Sequence, residues 1–153
     1  MKFFFILFFF PLFSQAQIKI DKAGDFWELR VDSALKLIKS TDSIYYSRII
    51  EVCDQISFWN NYFSSCDGEK GSRGTIIVSA PDVKSGNIIN ISAVLVHESA
   101  HLKLLMSGMT FETLAEEEIF CYQYELNFLR KIPNVNKSLI KHAEKQIAKL
   151  KGL

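Results

Sequence analysis

One stretch constrains this chain more than any other. From about Ile91 to Ser107 the residues are apolar on most sides, and Gly108 stops the run. A helix that is apolar nearly all round belongs inside a protein. Yet this one carries His97, Glu98 and His101. Two imidazoles and a carboxylate are costly to bury without partners. The stretch therefore demands a neighbour or a bound group that satisfies them.

The spacing says what that group can be. In His97-Glu98-Ser99-Ala100-His101, four helical residues advance the angle by about 400°, so the two histidines stand about 40° apart. One turn separates them along the axis, and both rings can reach one zinc ion from one face. Glu98 lies about 100° further round. It is outside the ligand set but close to any water on the metal. Zinc lowers the pKa of such a water, and a carboxylate can take its proton and pass it to a leaving amine. One Zn2+ per chain is the expectation. The competing reading, two histidines packed in a core, leaves the burial cost unexplained.

A catalytic zinc usually takes a third protein ligand. The next histidine, His142, is forty-one residues beyond His101. A carboxylate from the following helix fits better, and Glu116, Glu117 and Glu118 stand at its start. Thr113 and Glu116 match a capping box, which accounts for Glu116. Glu118 shares a face with Cys121, Tyr122 and Glu125, at offsets three, four and seven. That face reads as buried, so Glu118 is the favoured ligand and Glu117 the alternative. The plain reading is three carboxylates favoured by a helix dipole.

The motif, followed by Glu118-Ile119-Phe120-Cys121-Tyr122, resembles the gluzincin-type zinc metallopeptidases of the small single-domain kind. The likeness covers about Thr75 to Leu129. It implies His97, His101 and Glu118 as ligands and Glu98 as general base, with a peptide or protein as substrate. It also implies an α+β, zincin-like fold, mostly helical with a short β-sheet packed on the motif helix. Val94, Leu95 and Leu102 fit the longer pattern, whereas Lys103 stands where a hydrophobic residue is expected. Thr75–Ser79 reads as a strand, either an edge that pairs with substrate or part of the core. Tyr122, or Tyr124, either helps hold an oxyanion or packs.

The chain's beginning reads differently from the rest. Met1-Lys2, the apolar run Phe3–Phe13 and Ser14-Gln15-Ala16 make a secretory signal peptide, residues 1–16, cut after Ala16. The run is too short for a membrane-spanning helix, which needs about 20 residues. The expected product is residues 17–153, one domain, secreted or periplasmic. Losing Lys2 from the 18 basic residues leaves 17, against 17 acidic. That balance gives no electrostatic footprint for nucleic acid or anionic membrane. No other segment reads as long and apolar enough to cross a membrane, so no stable membrane insertion is expected after cleavage. Export makes a disulfide possible, with Cys53 and Cys66 as the pair and Cys121 as a small buried hydrophobe.

The remaining elements follow from periodicity. Asp25–Lys39 is predicted as a helix with Phe26, Leu29, Ala34, Leu35 and Ile38 inward. A second helix, capped by Asp42, is predicted to carry its stripe through Cys53 and Ile56 to Trp59. Residues 64–74 and 81–87 read as loops, Ile88-Ile89 as extended, and Asn136 or Ser138 to about Leu150 as a last helix with a Lys-rich, solvated face. His142 falls on its surface. The expected activity is a secreted zinc-dependent peptidase. Its rivals are a zinc-stabilised binding or structural module without turnover, and a latent peptidase blocked by its own termini.

Overall fold

The computed structural model describes residues 17–21, 25–60, 62–84 and 87–153. The proposed signal peptide lies outside the described residues. In chain order the elements are β1 (Lys19–Ile20), α1 (Asp25–Thr41), α2 (Ser43–Val52), β2 (Cys53–Trp59), β3 (Ser65–Asp67), β4 (Gly74–Ser79), α3 (Ala80–Lys84), α4 (Ile88–Ser107), α5 (Leu114–Leu129) and α6 (Lys137–Leu150). The fold is α+β, one small and mostly helical domain.

The apolar stretch forms α4, and it sits where its composition requires. It packs against α1, α2, α3, α5, β3 and β4. Ile91, Leu95, Val96, Leu102 and Leu104 are buried around its circumference, together with Ser92, His97, Glu98 and Ser99. The helix starts earlier than the hydrophobic pattern suggests. Asn87 caps it by accepting the Ile89 N–H at 3.0 Å, so Ile88-Ile89 form its first turn rather than a strand. Gly108 ends it in the left-handed conformation, φ 68°. At 20 residues α4 is also long and apolar enough to cross a membrane. That corrects the reading that no other segment is. Its burial among six other elements gives it the surroundings of a core helix.

The sheet runs β1-β2-β4-β3. β1, β2 and β4 are parallel, and β3 pairs antiparallel with β4, Cys66 opposite Ile76. β4 is therefore internal and cannot be the substrate-pairing edge; the edge strand on its side is β3. Gly74 is fixed by crowding. A Cβ there would meet the Asp67 carbonyl oxygen and stand 2.6 Å from Leu102 of α4.

Three other sequence expectations are corrected. Helix α2 stops at Val52, and Cys53–Trp59 is the strand β2. A register shift between Cys53 and Gln55 puts two fully buried residues, Cys53 and Ile56, three positions apart. An irregularity of that kind imitates helical spacing. In α1 the buried set is Trp27, Val31, Ala34, Leu35 and Ile38, while Phe26 and Leu29 face solvent. Residues 80–84 form the short helix α3, with Pro81 in its first turn, where the missing N–H is not needed.

The cysteines are free thiols, so the expected Cys53–Cys66 bridge is not formed. The two lie on β2 and β3, with β4 between them. Two strand spacings amount to about 9–10 Å, beyond disulfide reach. Burial pushes the Cys53 thiol up to about 11. Cys121 is fully buried, as a small hydrophobe would be.

Candidate metal centre

Two helices build the site. α4 supplies His97, Glu98 and His101, and α5 supplies Glu117, Glu118, Tyr122 and Glu125. The start of α5 is set by its capping box. Thr113 accepts the Glu116 N–H at 3.2 Å, and Glu116 accepts the Thr113 N–H at 3.1 Å. That fixes which residues of the next turns face α4. Glu118, Tyr122 and Glu125 follow at helical offsets on one side of α5.

His97 Nε2 and His101 Nε2 are 3.3 Å apart. Glu118 reaches both with different oxygens, Oε2 3.6 Å from His97 Nε2 and Oε1 3.5 Å from His101 Nε2. One ligand atom from each of the three residues lies within 4.8 Å of the others, and the group could hold a metal ion.

The other two carboxylates work from behind the rings. His101 Nδ1 donates to Glu117 at 2.8 Å, and His97 Nδ1 donates to Glu125 at 3.1 Å. With Nδ1 engaged as donor, each Nε2 faces Glu118 and the other ring, and once free of its proton can offer a lone pair to a metal. This arrangement orients metal-binding imidazoles and raises their basicity. The geometry separates Glu118 from Glu117. Neighbours on a helix point about 100° apart, so one carboxylate joins the Nε2 atoms and the other takes the far side of His101. Glu125 is the residue that sequence reasoning used only to define a face. Its signal was present: a carboxylate seven residues beyond Glu118, on a side that reads as buried.

Charge also favours a cation here. Four carboxylates gather around two imidazoles, and His97, Glu98 and Glu125 are all buried. Among the described residues no Lys or Arg lines the two cavities that meet at Glu98. A dication would balance this excess. Without one, the protein holds protons instead. Burial disfavours a charged His97, but the hydrogen bonds to Glu118 and Glu125 and the charge of Glu98 outweigh it, raising the pKa to about 9. The Glu118 carboxyl is held below its ordinary range, chiefly by its hydrogen bond with His97. Glu98 is pushed up to about 7 by burial, reinforced by Glu118, Glu125 and Asp82 against the pull of His97.

Glu98 borders both cavities. One, about 340 Å³, is lined by residues including Tyr62, Phe63, Val94 and Tyr122. The other, about 390 Å³, is lined by Phe63, Ser65, Cys66 and Tyr122 together with His97, His101 and Glu118. Tyr122 lies in both and sets its ring edgewise against His97, centroids 4.5 Å apart. Burial raises its hydroxyl to about 12, so it remains a donor at neutral pH. Tyr124 is engaged elsewhere, accepting from Arg48 at 3.1 Å and packing on Tyr45. His142 is exposed, as expected, and borders the first cavity from α6. No protein-family model matches the chain, and no curated protein matches it.

Proposed function

We propose that the protein is a zinc-dependent peptidase acting outside the cytoplasm, of the gluzincin kind. One observation carries the reading. Glu118 lies within 3.6 Å of both histidine Nε2 atoms, while Glu117 and Glu125 hold the opposite ring nitrogens. That arrangement supports a ligand set of two histidines and one carboxylate, with Glu117 and Glu125 as orienting partners. His97, His101 and Glu118 would hold the metal, which supplies Lewis acidity and a water acidic enough to react near neutral pH.

The chain's own residues account for the rest. Glu98 stands next to His97 and opens onto both cavities. A carboxyl with a pKa of about 7 can accept a proton and give it back at neutral pH. Tyr122 retains its proton and is available as a donor to a developing oxyanion. Ser65 and Cys66 of the edge strand β3 line the same cavity as the ligands, which suits an extended peptide held by backbone hydrogen bonds. The signal peptide read at residues 1–16 supports an extracytoplasmic site of action.

The test joins metal content to turnover. Purified wild type should carry about one zinc per chain. Glu98→Gln should keep that zinc and lose cleavage of a mixed peptide library by about 10²–10⁴-fold. Full zinc occupancy with no cleavage by wild type would sink the peptidase reading and leave a zinc-stabilised module. A latent form has one observation in its favour: His142 and Gln146 of α6 border the cavity at Glu98. Removal of α6 would then raise activity.

A further inference from the structure

Tyr62 and Phe63 are 82% and 79% exposed. Among the described residues only the terminal Leu153 is a more exposed large hydrophobic side chain. They immediately precede β3, at the mouth of the cleft. Phe63 borders both cavities that meet at Glu98, and Tyr62 borders the first. Exposed apolar surface beside a polar site marks a place where a partner is bound.

The residue that follows these rings is anchored. Ser64, the next residue, donates to Asp82 at 2.7 Å and accepts the Ser79 N–H at 2.9 Å. Ser79 donates to the same Asp82 oxygen at 2.6 Å, and Asn90 donates to the other at 3.1 Å. The approach to β3 is thereby joined to the end of β4, to α3 and to α4. Aromatic rings have few rotatable bonds, and an anchored neighbour further limits the entropy they lose when they bind.

The cavity under the rings completes the picture. Ala93 and Val94 of α4 add apolar surface to it. Its lining holds Asp82, Glu98 and Glu125 beside His97 and His142, and among the described residues neither Lys nor Arg. An acidic side chain finds no Lys or Arg partner there, while an uncharged ring or long aliphatic group needs none.

We infer that Tyr62 and Phe63 form a recognition site for a large apolar side chain of an extended peptide, placed within a few residues of the bond presented to Glu98. The inference deepens the peptidase reading and rests on it for the peptide's place in the cleft. The site is continuous with the metal cleft and with the edge strand β3, which fits a peptide as occupant. It makes these rings determinants of specificity.

Binding is measured separately from turnover. Three capped hexapeptides, identical except for one central Phe, Ala or Asp, are titrated into zinc-loaded Glu98→Gln protein. The Phe peptide should bind at least about 10-fold more tightly than the Ala peptide, with Asp weakest. Adding Tyr62→Ala and Phe63→Ala should reduce the Phe-to-Ala ratio below about 3, whereas Phe26→Ala, a change on α1, should preserve it. Equal affinity for Phe and Ala, a ratio that survives loss of both rings, or no binding at all would overturn the site. So would a Phe63-dependent dimer in analytical ultracentrifugation, or Phe63-dependent capture on phosphatidylcholine vesicles. The Glu98 protein is then given the same peptides. Selective binding without cleavage removes the peptidase reading and leaves the aromatic site standing. Cleavage without selectivity does the reverse.

Discussion

Helix α5 presents charges on two sides, and the two sides are built differently. Toward α4 it offers Glu117, Glu118 and Glu125 to buried histidines at 2.8–3.6 Å. Toward α6 its C-terminal cap, Arg130, places a guanidinium 2.9 Å from Glu144, with both side chains about half exposed. The distances overlap, but the surroundings do not. On the first side water is largely excluded, so each proton or cation must be matched by a protein group. On the second, water and salt can replace either partner. Proximity alone therefore does not identify a functional pair; burial and the convergence of several groups do.

The comparison breaks most visibly if the buried side proves dispensable. The largest effect is expected in catalysis, from Glu98→Gln, with zinc retained and cleavage reduced by about 10²–10⁴-fold. His97→Ala comes next. On the proposed ligand set it should abolish stoichiometric zinc, read by metal analysis, and it should lower the urea midpoint because Glu125 and Glu118 lose their partner. Glu125→Ala and Glu117→Ala follow. On the same proposal each orients a ligand without being one, and each should weaken zinc affinity by about 10–100-fold in competition with a chelator. If Glu117→Ala abolished zinc while Glu118→Ala retained it, the two carboxylates would have to exchange roles.

The same contrast explains what could be read before the structure. α4 was legible because a uniformly apolar helix with two histidines and a glutamate admits few explanations. α5 was legible because its capping box fixes its first turn and its phase. The sheet was not. β1 has two residues and β3 three, too short for an alternating pattern, and β1 pairs with β2, far along the chain. The irregularity in β2 gave Cys53 and Ile56 a helical interval, which carried the predicted helix past Val52. In α1 the inward set holds at Ala34, Leu35 and Ile38 and fails only in the first turns, where Phe26 and Leu29 are as apolar as the Trp27 and Val31 that turn inward. Within the site, the split between Glu118 and Glu117 needed three dimensions. Both are acidic, both are near the ligands, and only the position of the His101 ring distinguishes them.

pH sharpens the comparison through the protons that the metal-free site retains. His97 is raised to about 9 and Glu98 to about 7. Both folded pKa values exceed the unfolded ones, so the folded state binds more protons than the unfolded state between them. His97 contributes fully below its unfolded pKa of about 6.5 and loses the contribution as pH rises through about 9. Glu98 behaves likewise from its unfolded value up to about 7. The metal-free protein should therefore lose stability on going from pH 5 to pH 9, measured by urea midpoints after chelation. Zinc affinity should move the other way. Binding must displace the His97 proton, so affinity rises with pH by up to about tenfold per unit until about 9. A flat zinc affinity across that interval would mean that His97 is not a ligand.

The smallest effect is expected on the outer side of α5. Arg130→Ala or Glu144→Ala removes an ion pair whose partners are both about half exposed. The Coulomb gain is screened there, and two flexible side chains must be ordered to make the contact, so the loss should be about 0–1 kcal/mol and should shrink further at high salt. Zinc content and zinc affinity should not change, because neither residue lies in the cavities that meet at Glu98. A double-mutant cycle gives the pair's own contribution. A coupling well above 1 kcal/mol would place α6 among the supports of the metal centre, since α5 is the element through which both sides would then communicate. A coupling near zero would leave the buried carboxylates of α5 as its functional face and the outer pair as surface chemistry.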